Sequence, residues 1–256
     1  MENIAVTREL TAAIGDCELT FLPRSRIDFA QAQQQHLNYQ SALSSLGCEL
    51  VVVPAPSGLA DSVFIEDTAL VLDEIAVMLR PGVASRQPEV VGVAEALRQY
   101  RPLGAIESPG TLDGGDLLRV GHTIFAGLST RSNRDGIQQL RDIVSDYGFV
   151  VEPVETTKCL HLKSAVSEVA PGTLLINPDW ISSSTFSDFE LIHVDQQESH
   201  AANALRIGED VIYPSSFPRT MDELVKRGIN VLPVELTELQ KAEGAVTCCS
   251  LIFSAH

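Results

Sequence analysis

Apolar residues in this sequence come in short runs separated by compact polar knots, and the alternation repeats along the chain. Five knots each lead into an apolar stretch: Glu66-Asp67 before TALVLDEIAVMLRP, Asp113-Gly114-Gly115-Asp116 before LLRVGHTIFAGLS, His161-Leu162-Lys163-Ser164 before AVSEVAPGTLLINP, His200-Ala201-Ala202-Asn203 before ALRIGEDVIYPSS, and Thr247-Cys248-Cys249 before SLIFSAH. They start at residues 66, 113, 161, 200 and 247, at intervals of 47, 48, 39 and 47. Such a period points to one supersecondary unit used repeatedly. Four of the apolar stretches break at a turn, at Asp73-Glu74, Gly121-His122, Pro171-Gly172 and Gly208-Glu209. Two short runs around such a turn predict a β-hairpin.

Between knots the periodicity changes. Ile137, Leu140, Val144 and Tyr147 step by 3, 4 and 3, one face of a helix, and Gly148 stops it. Thr220 with Glu223 predicts a capping box for a helix ending at Gly228, and Pro88 predicts the first position of another. Residues 29–46 are helix-compatible up to Gly47, and the weakest helical pattern, at 184–189, falls in the shortest unit. An apolar run follows each: CELVVVPA, GAIES, FVVEPVE, FELIHV and INVLPVEL. The last unit, SLIFSAH, is one strand short, while the first has a spare strand, NIAVTREL. The expected fold is therefore α/β: one domain, residues 1–256, a five-bladed pseudo-symmetric α/β propeller of ββαβ units, closed by pairing of the N- and C-terminal strands. In such a ring the knots occupy equivalent positions, so Glu66, Asp67, Asp113, His161 and Cys248 converge on one axis.

Charge narrows the partners. The 256 residues carry 18 Lys and Arg against 34 Asp and Glu, a formal net charge of −16. That field repels nucleic acid and anionic membranes and favours a cationic small molecule where carboxylates line a cleft. MENIAVTREL is not a secretory signal, and no run approaches the ~18 apolar residues that span a bilayer. Five scattered cysteines, Cys17, Cys48, Cys159, Cys248 and Cys249, do not make a disulfide framework, so a reducing cytoplasmic location is expected. Neither CxxC nor HExxH occurs, so no metal or cofactor is expected. Oligomeric state is left open, a homodimer included.

Taken singly, the knot residues have plain readings. A free cysteine is usually a small core hydrophobe, a histidine is usually a hydrogen-bonded structural one, and Asp113-Gly-Gly-Asp116 reads as a turn. Taken together, those readings leave unexplained why polar residues stand at the same point of five repeats. A thiol, an imidazole and carboxylates also form a coherent set. Thiolate is a strong nucleophile, imidazole carries protons at neutral pH, and paired carboxylates grip a flat cation. Of the adjacent cysteines, strand alternation would aim only one into a pocket.

In order and spacing, DSVFIEDTALV, SPGTLDGGDLL, LHLKSAVS and GAVTCCSLIF resemble the dimethylarginine dimethylaminohydrolases over nearly the whole chain. The wider superfamily of guanidine-modifying enzymes shares a five-bladed α/β propeller. The resemblance implies hydrolysis of dimethylarginine to citrulline and dimethylamine through a covalent thiouronium. It implies Cys248 as nucleophile, His161 as proton carrier and Asp113 as the acid orienting it, where some members have Glu. It further implies Asp67 with Glu66 on the guanidinium, Arg86 and Arg131 on the α-carboxylate, Asp61 on the α-amine, Leu19 on a lid and Ala242 contacting substrate through its backbone. Arginine, agmatine or monomethylarginine as substrate, or amidino transfer to an amine, would use the same machinery. A non-catalytic ribosome anti-association factor shares the ring, but such a protein has no need of the Cys248–His161–Asp113 set.

Overall fold

Fifteen strands lie among residues 3–255, the part of the chain that the computed structural model describes. In chain order they are β1 (Asn3–Arg8), β2 (Cys48–Val53), β3 (Ala69–Val71), β4 (Ala76–Met78), β5 (Leu103–Ala105), β6 (Leu117–Val120), β7 (Thr123–Leu128), β8 (Val150–Glu155), β9 (Val166–Ala170), β10 (Thr173–Ile176), β11 (Glu190–His193), β12 (Leu205–Ile207), β13 (Asp210–Pro214), β14 (Asn230–Val234) and β15 (Leu251–Ser254). They form five separate sheets of three, in the orders β15-β1-β2, β3-β4-β5, β6-β7-β8, β9-β10-β11 and β12-β13-β14.

Every sheet has the same construction, an antiparallel pair plus a third strand parallel to the second. A parallel neighbour needs a crossover, and a helix supplies it. These are α1 (Phe29–Ser45), α2 (Val90–Leu97), α3 (Arg134–Ser145) and, in the last blade, α5 (Pro218–Lys226); a four-residue helix, α4 (Leu162–Ala165), lies between α3 and α5 in the chain. The fourth blade, 39 residues from knot to knot, crosses over with a 3-10 turn at Ser183–Phe186 in place of a helix. In the first blade the hairpin is divided between the chain ends: β1 pairs antiparallel with β15 from Asn3↔Ser254 to Val6↔Leu251, and parallel with β2. The expected closure of the ring is thus made by the termini; His256, last in the expected strand, lies outside the described residues.

The core explains why the ring holds. Buried apolar residues fall into five clusters, and each joins one crossover to its own sheet and the next. Leu140 and Val144 of α3, for example, share a cluster with Val77 of β4 and Ile124 of β7, and Leu224 of α5 with Leu175 of β10 and Val211 of β13. Burying one such side chain is worth up to ~3 kcal/mol. The inner strands β15, β3, β6, β9 and β12 surround an axial cavity of about 850 Å³, which runs from Glu66, Lys163 and Thr247 to the hairpin turns at Gly121 and Gly172.

Three local expectations fail. Phe217 starts α5, so Thr220 stands inside its first turn; its Oγ1 accepts the Asp195 N–H, and the Glu198 carboxylate takes the N–H groups of Arg219 and Thr220. A carboxylate distant in sequence does the work expected of the capping box. Pro88 sits within a 3-10 run, Ala84–Glu89, ahead of α2. Cys248 and Cys249 lie in a turn before β15, so strand alternation does not separate them. Among the described residues no helix is long and apolar enough to cross a membrane.

Candidate active site

Each knot is a single helical or tight turn at the mouth of an inner strand: 3-10 turns at Ile65–Thr68 and Gly114–Asp116, α4 directly after His161, and turns at 199–202 and 246–249. Turns of this kind stop the ladder and aim side chains along the axis. Asn203 ties three of them together. Its side chain donates to the Lys163 carbonyl and to Thr247 Oγ1, and accepts the Thr247 N–H. This suits the structural reading of that knot; His200 is exposed and meets Trp180 edge to face.

His161 and Asp113 meet as expected, with Nε2 of the imidazole 3.0 Å from Oδ2 of the carboxylate. Asp113 is wholly buried, its Oδ1 accepts the Gly82 N–H at 2.8 Å, and Nη1 of Arg131 lies 4.0 Å from Oδ2. The imidazole packs on Gly115, where an added Cβ would collide with Nδ1. Burial alone would strip the proton from His161, but Asp67, the Asp113 bond and Asp116 outweigh it and push the group up to about 9. His161 is therefore an imidazolium at neutral pH.

Asp67 accepts the Gly115 N–H at 2.8 Å on Oδ1 and Nη1 of Arg86 at 2.6 Å on Oδ2. Burial works to raise its pKa, yet His161 and Arg86 hold the carboxyl well below the usual range. Arg86 is also bound to Glu89, through Nε at 3.2 Å and Nη2 at 3.0 Å, and donates to the Asp61 and Phe64 carbonyls. This guanidinium, expected on a substrate carboxylate, is engaged by protein acceptors in the ligand-free site. Glu66 points elsewhere than Asp67. Its carboxylate takes Lys163 Nζ and, at 2.9 Å, Thr247 Oγ1, at the inner end of the axial cavity. It is nevertheless the first carboxylate to act on Cys248, whose carbonyl accepts the Glu66 N–H at 3.1 Å.

Cys248 is half-buried and Cys249 buried. Burial, then Glu66 and Asp67, push the Cys248 thiol well above its ordinary value. Tyr39 fixes the loop below it, donating to the Val246 carbonyl at 2.8 Å and sharing a proton with Ser250 Oγ at 2.7 Å.

The remaining candidates gather around the loop at residues 18–22. Asp61 accepts the Glu18 N–H at 3.0 Å, one residue before Leu19, and Arg131 donates to Thr20 Oγ1 at 3.0 Å. Ala242 is buried at the end of a short helix, and Glu243 follows it with φ +59°. The Glu243 carboxylate accepts the N–H groups of Thr20, Phe21 and Leu22 at 3.0, 2.6 and 2.6 Å. A second cavity, about 400 Å³, lies between Phe21 and Leu22 on one side and Ser164, Trp180, Phe217 and Gly244 on the other. Sequence reading passed over Glu243, which no motif marks, and Asp116, which stood in plain view in the second knot.

Asp67, Asp113 and His161 bring one donor atom each within 4.8 Å of one another, a spacing that suits a metal ion. Protein groups already occupy these atoms: Arg86 and the Gly115 N–H lie on Asp67, and His161 is bonded to Asp113. A cationic ligand with N–H donors fits these acceptors better than a bare ion.

Comparison with known proteins agrees with this geometry. The family model for eukaryotic N,N dimethylarginine dimethylhydrolase matches residues 5–253. The N(G),N(G)-dimethylarginine dimethylaminohydrolase of Pseudomonas aeruginosa is 34% identical over 88% of this chain and 90% of its own, and that of Streptomyces coelicolor 35% identical over 96% and 95%. The solved Pseudomonas enzyme, a Cys-to-Ser mutant complexed with citrulline, superposes with a TM-score of 0.95 at 32% identity over 99% of this chain and all of that one. The N-terminal domain of ArgZ, a cyanobacterial arginine dihydrolase, shares the fold at TM-score 0.89 and 19% identity. The chain belongs to the dimethylarginine dimethylaminohydrolase family.

Proposed function

We propose that the protein hydrolyses Nω,Nω-dimethyl-L-arginine, and monomethylarginine with it, to citrulline and the free amine, with Cys248 as nucleophile. The observation that carries this reading is the buried row Arg86–Asp67 and His161–Asp113, whose Asp67 charge also acts on the Cys248 thiol. The family relatives support the choice of substrate.

A free enzyme with a high Cys248 value holds a thiol, since two carboxylates oppose a negative sulfur. A guanidinium seated on Asp67 offsets that charge and favours the thiolate, the thiol proton passing to solvent. The sulfur then adds to the guanidinium carbon. His161 gives its proton to the substituted nitrogen, the C–N bond breaks, and dimethylamine leaves a thiouronium on the sulfur. Neutral His161 next takes a proton from water as the oxygen adds to the same carbon. Collapse of that adduct forms the urea of citrulline and returns the thiol. Asp113 and Asp67 keep His161 charged for the first proton transfer. Arg86, Arg131, Asp61, Leu19 and Ala242 receive the amino-acid end in this scheme, with Arg86 shared between Asp67 and the ligand.

The whole chain is read as one catalytic domain acting on a small guanidine, in a reducing compartment such as the cytoplasm that keeps its thiols free. A homodimer is compatible with this reading, and the acidic surface disfavours nucleic acid. The test is turnover of dimethylarginine, monomethylarginine, arginine and agmatine by the wild type and by Cys248→Ser. Methylated arginines are expected to be consumed fastest, and the serine variant to be inactive. Faster release of ammonia from arginine would make the protein a deiminase instead.

A further inference from the structure

We propose that Asp116 is a positioning residue of the catalytic centre, a buried carboxylate that holds the imidazole, its acidic partner and Arg131 in one register. The inference rests on the reading of His161 as proton carrier.

Asp116 is wholly buried, and both of its oxygens are occupied. Oδ1 accepts the Leu162 N–H at 2.9 Å, and Leu162 directly follows His161, so this bond fixes the backbone that carries the imidazole. Oδ2 accepts the hydroxyls of Ser129 and Ser132, both at 2.6 Å. Each hydroxyl passes the constraint on. Ser132 Oγ accepts the Asp113 N–H at 3.0 Å, and Ser129 Oγ accepts the Arg131 N–H at 3.0 Å and the Ser132 N–H at 3.2 Å. One carboxylate thus reaches three expected site residues on two blades, through at most one hydroxyl each.

The surroundings are shaped for it. On β7, Gly127 leaves room where an added Cβ would meet Asp116 Oδ1 and Cγ. A turn needs no buried charge, and burying an acid is costly unless a cation answers it. Burial does push Asp116 up, to about 6, and His161 is the first group pulling it back. The imidazole in turn faces Asp67, Asp113 and Asp116, with Arg86 and Arg131 standing beyond the first two.

A purely structural carboxylate and a positioning one differ in what their loss changes. Asp116→Asn removes the charge and puts an amide N–H₂ in place of one oxygen that accepts from the Leu162 N–H or from the two seryl hydroxyls. Two quantities are measured in the folded variant: the His161 titration by imidazole NMR in the ligand-free protein, and kcat and KM for dimethylarginine. The expected result is a His161 midpoint lower by about one pH unit and a kcat lower by about tenfold or more, with KM less affected. Ser132→Ala keeps the charge and cuts the link to Asp113, and is expected to lower kcat while leaving the His161 midpoint near the wild type. Asp116→Asn with an unmoved midpoint and kcat, whatever its stability, would overturn the proposal. If that variant does not fold, an unchanged kcat in Ser132→Ala and Ser129→Ala overturns it as well. The NMR titration needs no substrate, so a wild type inactive on every guanidine would sink the functional reading and still leave this link decided.

Discussion

Asp67, the carboxylate expected to grip a substrate guanidinium, already holds a guanidinium, that of Arg86, at 2.6 Å. Both are buried, at 3% and 4% exposure, and Arg86 has a second carboxylate, Glu89, on its other edge. Asp67, Arg86 and Glu89 thus form a buried row of acid, flat cation, acid. It stays ordered because an unpaired buried carboxylate would be costly.

Removing the carboxylate tests that arrangement. Asp67→Asn strips Arg86 of one partner and the substrate of its grip. Stability is expected to fall by about 3 kcal/mol, the scale for breaking a buried pair. kcat/KM is expected to fall at least ~100-fold. Urea unfolding and steady-state kinetics measure the two. Arg86→Lys keeps a charge but loses the fork on Glu89, so its expected effect is mainly a higher KM.

His161 sets a pH window. Its folded value, about 9, lies above the ordinary ~6.5, so the proton is held more tightly in the folded state. The resulting stabilisation is complete below about pH 6.5 and is lost as pH rises through about 9. Asp67 acts at the other end: its depressed value stabilises the fold above the ordinary carboxylate range and is lost in acid. Wild type and His161→Asn should therefore converge in urea stability as pH rises from about 6 to about 10. The rate of amine release should fall on the alkaline side near 9, where the departing amine loses its proton source.

Glu243 latches the loop that follows Leu19. Its carboxylate binds three successive N–H groups, at Thr20, Phe21 and Leu22, and its backbone accepts a left-handed φ of +59° to do so. Glu243→Gly relieves the backbone and removes the latch, which separates the two effects. The fold is expected to remain as stable or gain up to about 1 kcal/mol. Amide exchange at residues 20–22 should accelerate and KM should rise. Unchanged exchange there would mean that the loop is held by Asp61 and Arg131 alone.

Gly115 is where the site tolerates no side chain. An added Cβ would meet the His161 ring and Oδ1 of Asp67. Gly115→Ala should cost about 1–3 kcal/mol from overpacking and should lower kcat ~100-fold or more by displacing the imidazole. Thermal unfolding and kinetics on the same sample report both.

The ring was legible because its cause is periodic. Knots about 47 residues apart, an unpaired strand at each end and glycines after three of the helices, Gly47, Gly148 and Gly228, are local signals that add up along the chain. Convergence of Asp67, Asp113 and His161 followed from symmetry alone. What the sequence hid depends on partners distant along the chain. The N-terminus of α5 is served by Glu198, some 20 residues back, where local spacing pointed to Thr220. Glu243 binds a loop more than 220 residues away. Arg86 looked free to meet a ligand because nothing local announces that Asp67 and Glu89 flank it. The two cysteines lie in a turn, so burial distinguishes Cys248 from Cys249 where strand alternation was expected to.

The central claim is that Cys248 becomes covalently attached to the substrate carbon. The most direct measurement is peptide mapping by mass spectrometry of enzyme quenched in acid during turnover of dimethylarginine. The expected result is a substrate-derived adduct that has lost dimethylamine, on the peptide containing Cys248 and on its sulfur, and missing from Cys248→Ser. Steady turnover with an unmodified Cys248 peptide, or with the adduct on another residue, would contradict it.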